Sequence, residues 1–540
     1  MSRLLRLATA DFRDRVRRPA YVVILCAAVG LGHLATPGAD AGWVVMQVGT
    51  YRGEYNSAYI GMVVALASAM WLSLGGFYVV RDAIARDHGT GVGRLLATTP
   101  LRTTAYLAAK FLSSVLVLAS MLGVLVLTAL FMQLARGEVT AVDPVALVSP
   151  FVLIALPLMA FTAGAALLFE AIPLLRAGFG NIVWFFGWMY LAVGGQSGDA
   201  PLGGIGVHDV VRSLTRDMTA QGVDLVKAGE FSLGLTMIDA PLTTFVWHGF
   251  DPDAGYLTSR LAIVVLAVTL ALVPALWFPR FDPSRGRQLG KPTASLSADN
   301  TSTLLSADNT SAPPHTTTTS GTSASASFAS APRTPVELGS STLRLLTGQT
   351  RVLLQGIPRW WWGGVVTVTG VSPLATGTAA HYLLILAWIW PVLIWSRLGA
   401  QSHGSGVDSL LGAYPSARRR IAAEWLAGFL LTAVSGLGPA VRMAVGADGK
   451  GLVHWSVAAL AIPSLALLLG TVSHSPRLFQ VTYLPLWFAT VNGIAPLDYM
   501  GALRTADGTP AGMPPLFLLT VTAAMLTLTF LTHAARRAAS

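Results

Sequence analysis

The sequence predicts an all-α polytopic membrane protein of about twelve transmembrane helices, arranged as two tandem six-helix halves. Three observations carry that expectation: a scarcity of charge, a series of apolar runs long enough to cross a bilayer, and a motif that returns in the second half. Only 11% of the 540 residues are charged, while 53% are hydrophobic. A water-soluble domain carries about a quarter charged residues. So few charges cannot coat a water-facing surface over such a length, and the bilayer becomes the solvent for much of the chain.

The first apolar run begins near Tyr21, behind Arg3, Arg6, Arg13, Arg15, Arg17 and Arg18. No clean cleavage site follows and many further runs do, so it reads as a first span rather than a signal peptide. In the first half the runs occupy about 20–36, 58–80, 106–132, 147–169, 179–195 and 258–278. In the second they occupy about 360–376, 379–396, 421–441, 452–472, 478–495 and 514–533. Backbone groups inside lipid must be satisfied within the segment, so these are expected to be helices. The run 360–376 is short and Gly-rich, which also suits a re-entrant segment. An amphipathic stretch precedes each half: Leu4, Leu5, Ala8 and Phe12 in one, Leu343, Leu346, Leu353 and Leu354 in the other. Both read as helices lying in the membrane interface.

Three parts follow: a first six-span half over 1–281, a linker over 282–336 and a second six-span half over 337–540. The linker is Ser, Thr, Ala and Pro with a short duplication, SADNTS at Ser297–Ser302 and at Ser306–Ser311. Such a segment buries too little apolar surface to offset its ordering entropy, so disorder is expected. Six spans per half put both termini and the linker on one side. Of the 36 Lys and Arg residues, 27 fall on that side and 9 on the other. By the positive-inside rule the side of the termini is cytoplasmic, and the acidic segment 196–257 lies outside. The net charge of +10 is thus a topology signal in a multi-pass plasma-membrane protein, and nucleic acid is not expected as a partner. Cys26 is the only cysteine, and no Cys/His cluster has metal-site spacing.

The repeat is the most informative feature. His88–Pro100 reads HGTGVGRLLATTP, and His403–Pro415, 315 residues on, reads HGSGVDSLLGAYP. The histidine, both glycines, the valine, both leucines and the proline coincide. Each copy lies in the loop after the second span of its half and is followed by basic residues, Arg102 and Lys110 or Arg418, Arg419 and Arg420. Gly89, Gly91, Gly404 and Gly406 allow sharp turns at the membrane surface. Leu95-Leu96 and Leu410-Leu411 form short apolar patches on otherwise polar loops, suited to a cleft on a partner. Pro100 and Pro415 end the short helix before the next span. A plain turn that tucks its leucines against the membrane is the competing reading.

These residues resemble a known family. Asp87-His88-Gly89-Thr90, then Leu95-Leu96-Ala97-Thr98-Thr99-Pro100, then Tyr106-Leu107 and Lys110, are similar to the loop between the second and third spans of ABC-2 type transporter permeases. The interfacial helix, six spans per half and an outer excursion between spans five and six fit the same pattern. Fused two-half forms are similar to bacterial permeases of polyketide-type antibiotic exporters and to a group linked to copper-enzyme maturation. The resemblance implies that His88, Gly89, Gly91, Leu95, Leu96 and Pro100, with His403, Gly404, Gly406, Leu410, Leu411 and Pro415, form coupling elements that dock on an ABC ATPase subunit, present in two copies. The second copy departs from the pattern: Ser402 stands for Asp87, Ser409 for Arg94, and Ala413-Tyr414 for Thr98-Thr99. Equal docking of the two halves is therefore in question.

No G-x-x-x-x-G-K-[ST] occurs, so no cofactor is expected in this chain and ATP belongs to the partner. No HExxH, GxSxG or paired-carboxylate constellation appears, and an enzyme is not expected. Glu170 and Glu424 fall near span ends, where carboxylates commonly reach the interface. Tyr51–Asn56 could line an exit gate, although an interfacial aromatic belt explains it as well, and Trp360, Trp361 and Trp362 read as interfacial anchors. The expected function is the permease subunit of an ABC exporter moving an amphipathic or lipid-like substrate out of the cell. The alternative is an ion- or proton-driven twelve-span carrier, of whose usual loop signature Arg86-Asp87-His88-Gly89 is a faint echo.

Overall fold

The computed structural model describes residues 3–281 and 341–539 apart from short breaks, the longest being 224–229 and 402–416. The linker 282–336 and the second loop copy, His403–Pro415, fall outside the described residues.

The first half opens with α1 (Arg3–Val16), whose Ala8 and Phe12 face inward, and α2 (Pro19–Ala35). Two short strands follow, β1 (Trp43–Val48) and β2 (Tyr51–Gly53). The next long helix runs through α3 (Ser57–Ala67), a π-helical turn at Ser68–Leu72 and α4 (Ser73–Val80). Two short helices, α5 (Ala83–Gly89) and α6 (Val92–Ala97), lead to α7 (Thr103–Arg136). A second interrupted helix joins α8 (Pro144–Pro150), a π-helical turn at Phe151–Ala155 and α9 (Leu156–Ala171). Then come α10 (Gly178–Gly194), α11 (Val207–Ala220), β3 (Phe231–Met237), β4 (Thr243–Phe245) and α12 (Ala254–Leu272).

The second half comprises α13 (Ser341–Leu354), α14 (Arg359–Val371), α15 (Gly377–Ile389), α16 (Ala417–Ser435), α17 (Leu437–Val445), α18 (Gly449–Ser473), α19 (Pro476–Val491) and α20 (Pro515–Ala539). The halves repeat a packing plan. α1 lies along α7 as α13 lies along α16, and α9 pairs with α12 as α18 pairs with α20. Gly164 lets α9 and α12 approach closely, because a Cβ there would collide with the Ala267 carbonyl. The halves meet where α10 faces α19. Phe185 packs against Trp487 and Phe488, and Asn181 donates to Gln480 Oε1.

Among the described residues, seven helical segments are long and apolar enough to cross a membrane, and eight if α16 and α17, bent by 59°, form one span. The chain is therefore a mostly helical, membrane-embedded protein with several spans. Helices occur at each of the twelve expected positions, but α2, α10, α14 and α19 have 17, 17, 13 and 16 residues. At 1.5 Å per residue all four are shorter than the roughly 30 Å of hydrocarbon. Among the described residues, helix length alone thus supports seven or eight of the twelve expected spans.

The fold is mostly helical, as expected, but it also carries a small sheet that the sequence did not suggest: β1, β2, β3 and β4 pair in the order β3-β1-β2-β4. β1 is antiparallel to β2 and β3, with Met46 opposite Leu233, and β2 is parallel to β4. β1 alternates half-buried and buried residues, as expected of a strand with one covered face. This sheet marks one face of the molecule, and α1, α5 and α6 mark the other, here termed the loop face. The three tryptophans also divide. Trp360 is exposed as expected of an anchor, whereas Trp361 is buried and exchanges indole-to-carbonyl hydrogen bonds with Trp390 at 3.2 and 3.1 Å.

Candidate functional site

The first copy of the repeated loop folds as two short helices with a glycine hinge. Gly91 has φ +76°, a left-handed conformation that costs a non-glycine residue strain, and it separates α5 from α6. Gly89 has no such need: it closes α5 with ordinary helical geometry and open space where a Cβ would stand. Gly93, which the sequence reading passed over, is buried, and a Cβ there would meet the Phe281 ring at 2.8 Å. The Thr98 and Thr99 hydroxyls donate back to the Leu95 and Leu96 carbonyls at 2.8 and 2.7 Å and close α6 ahead of Pro100.

The paired leucines part company. Leu95 is 70% exposed, with Val92 exposed one turn before it, so α6 presents a small apolar face to solvent. Leu96 turns inward onto a cluster of Tyr106, Leu107 and Phe278. His88 is exposed, its ring 6.1 Å from that of Phe281.

Beneath the loop lies a buried ionic clamp. Lys110, one of the basic residues that follow the loop, is only 3% exposed in α7, where two carboxylates surround it. Its Nζ donates to Asp11 Oδ1 of α1 at 2.8 Å and to Asp87 Oδ1 of α5 at 3.0 Å. Tyr106 donates to Asp87 Oδ2 at 2.7 Å, and Ser113 to Asp11 Oδ2 at 2.6 Å. Arg15 pairs with Asp11 at 2.9 Å and donates to Ser114 at 3.2 Å. Burial alone would raise the Asp11 carboxyl, but Arg15, Lys110 and Ser113 outweigh it and hold it at about 2, below its usual 3.8. The clamp ties α1, the loop and α7 into one unit. Sequence reasoning missed it, although Asp87, Tyr106 and Lys110 all belong to the quoted loop pattern.

Both intramembrane glutamates point inward rather than to the interface. Glu170 Oε2 accepts from the Ile84 backbone N–H at 3.0 Å, and Glu424 Oε1 from the Gly399 N–H at 2.7 Å. Ile84 and Gly399 stand at the same 315-residue spacing as the two loop copies. A buried carboxylate therefore caps the chain leaving the α3–α4 helix and, in the second half, the chain leaving α15, though from different helices.

On the sheet face, Tyr51–Asn56 is held by ion pairing rather than left as a bare aromatic belt. Arg52 grips Glu138 through both terminal nitrogens at 2.9 and 2.5 Å, and the Arg52 guanidinium lies 4.4 Å from the Tyr55 ring centroid. The bonded Arg52 lowers the Glu138 carboxyl below its usual range. Asn56 caps α3 through the Tyr59 N–H. The group can hold a loop in shape, and its atoms include no nucleophile with a paired base.

Among the described residues, no group of three or more His, Cys, Asp or Glu could hold a metal ion. No family model, curated protein or solved structure matches the chain.

Proposed function

We propose that the chain is the transmembrane permease subunit of an ABC exporter, driven by a separate ATPase that docks on the loop face. That face is cytoplasmic in this reading, and both termini lie on it. The exposed Val92–Leu95 face of α6, braced from below by the Asp11–Lys110–Asp87 clamp, is the observation that carries the proposal. A coupling element must offer an apolar anchor to a partner and be rigid enough to pass on a displacement. Leu95 meets the first need. The clamp meets the second, since motion of α5 and α6 must drag α1 and α7 with it. The resemblance of Asp87–Lys110 to ABC-2 permeases supports the same assignment. The long apolar helices suit an amphipathic or lipid-like substrate leaving through the membrane, and ATP is bound and hydrolysed by the partner.

A proton- or ion-driven carrier has one observation in its favour. Glu170 is buried at 1% exposure, and its Oε1 has no hydrogen-bond partner among the described residues. Affinity purification of the chain from its own membranes separates the readings. An ATP-hydrolysing subunit should copurify with the parent and be lost with Leu95→Ala, since truncating an interface anchor costs about 1–4 kcal/mol. A parent that purifies without any ATPase and transports on an ion gradient alone overturns the ABC reading.

A further inference from the structure

On the loop face, between the two halves, lies a cavity of about 480 Å³. Its polar wall is formed by Arg15, Arg81, Arg86 and Arg477, with Asp82 the one carboxylate among its lining residues. Its other wall is formed by Tyr21, Tyr78, Val79 and Val117. Arg15 and Arg81 are 5% and 3% exposed, so two of the four guanidinium groups are deeply buried. Each arginine is fixed in place. Arg81 donates to Asn181 Oδ1 and to the Leu175 carbonyl, and Arg477 pairs with Asp82 across the junction of the halves. Arg15 and Arg86 are backed by Asp11 at 2.9 and 3.9 Å, and Arg86 also by Asp14 at 3.8 Å. Those two carboxylates are not among the residues that line the space. The Arg15 Nε is buried without a hydrogen-bond partner among the described residues.

We infer that this cavity binds a phosphate-bearing headgroup, with the inner-leaflet phospholipid of the surrounding bilayer as its source. Several guanidinium groups converging on one space match phosphate better than any neutral ligand, because each presents a planar fork of donors to the oxygens. A basic pocket between membrane helices at headgroup depth is the setting in which anionic lipid is recognised. The depth follows from the elements. Arg15 ends the interfacial helix α1, Tyr21 starts α2, Arg81 ends α4 and Arg477 starts α19. The tyrosine and valine wall then lies where glycerol and the first acyl carbons would run. A bound phosphate would share Arg477 with Asp82, and so would join the halves beside the clamp.

The test uses the full chain without any partner subunit, in phosphatidylcholine nanodiscs titrated with fluorescent phosphatidylglycerol, with inorganic phosphate in a parallel arm. Phosphatidylglycerol should bind the parent about tenfold more tightly than labelled phosphatidylcholine. Arg86→Gln with Arg477→Gln should abolish that preference. Arg86→Lys with Arg477→Lys should keep most of it, and Arg504→Gln on the sheet face should leave it unchanged. Thermal unfolding of each variant establishes that it is folded, and the single Arg86→Gln carries the test where the double variant is not. Phosphate that binds the parent and not the glutamine variant, with no preference among lipids, supports the cavity but overturns the lipid source. Equal binding of both probes to parent and folded variant overturns the site itself.

Discussion

At the scale of single residues, Lys110 decides the most. It neutralises two carboxylates from different helices, so Lys110→Met would strip the buried Asp87 of its ion pair and leave Asp11 to Arg15 and Arg86 alone. Breaking a buried pair by removing one partner costs about 3–5 kcal/mol. The variant is expected to insert but to unfold at a clearly lower temperature in detergent; an unchanged Tm would show that the clamp does not hold the loop. Asp11 adds a pH signature. Its carboxyl sits at about 2 when folded against an ordinary 3.8. Its contribution is therefore complete above that ordinary value and is lost as pH falls through the folded one. Between about pH 4 and pH 2 the parent should lose stability more steeply than Asp11→Asn; parallel curves would refute this. The sequence showed Lys110 only as one of several basic residues near a loop. Nothing local marks it as buried, because Asp11 lies far upstream and comes close only when α1 lies down on α7. Gly91 was legible as a turn residue, whereas Gly93 was not, since the need for it comes from Phe281.

At the scale of elements, hydropathy located the helices because lipid imposes a requirement every residue of a span must meet. The strands escaped for the opposite reason. β1 has six residues and its partner β3 lies in the segment 196–257, so the pairing is invisible in any window that shows one of them. The π-helical turns were equally hidden. The one at Ser68–Leu72 has a consequence: the Met70 carbonyl accepts the Trp188 indole N–H at 2.7 Å, which fixes α10 against the α3–α4 helix. The α9–α12 pair rests on Gly164, where even a methyl group meets backbone. Gly164→Val should force these helices apart at a cost of about 1–3 kcal/mol or more. Gly123→Ala in α7, with open space around its Cβ, should change stability by less than about 1 kcal/mol. Similar thermal unfolding of the two variants would show that the close approach is not needed.

At the scale of the whole molecule, the duplicated plan was legible because the loop motif survives in both halves. Its asymmetry was partly legible, in the departures of the second copy from the pattern. The two buried glutamates show that asymmetry in three dimensions, serving matched positions from unmatched helices. The proposed orientation rests on the positive-inside rule: cysteines placed at Ser197 and at Ser323 in a Cys26→Ala background should be labelled from opposite sides by an impermeant thiol reagent. Labelling of both from outside would contradict the orientation on which the docking proposal depends. That proposal is tested most directly by a photo-crosslinking side chain at position 95, with one at the exposed Leu127 of α7 as a control within the bilayer. In native membranes the position-95 probe should form a covalent adduct with an ATP-hydrolysing subunit, and the position-127 probe should not. A position-95 probe that captures no such subunit, in protein that is inserted and transporting, would contradict the assignment of α6 as the place where energy enters.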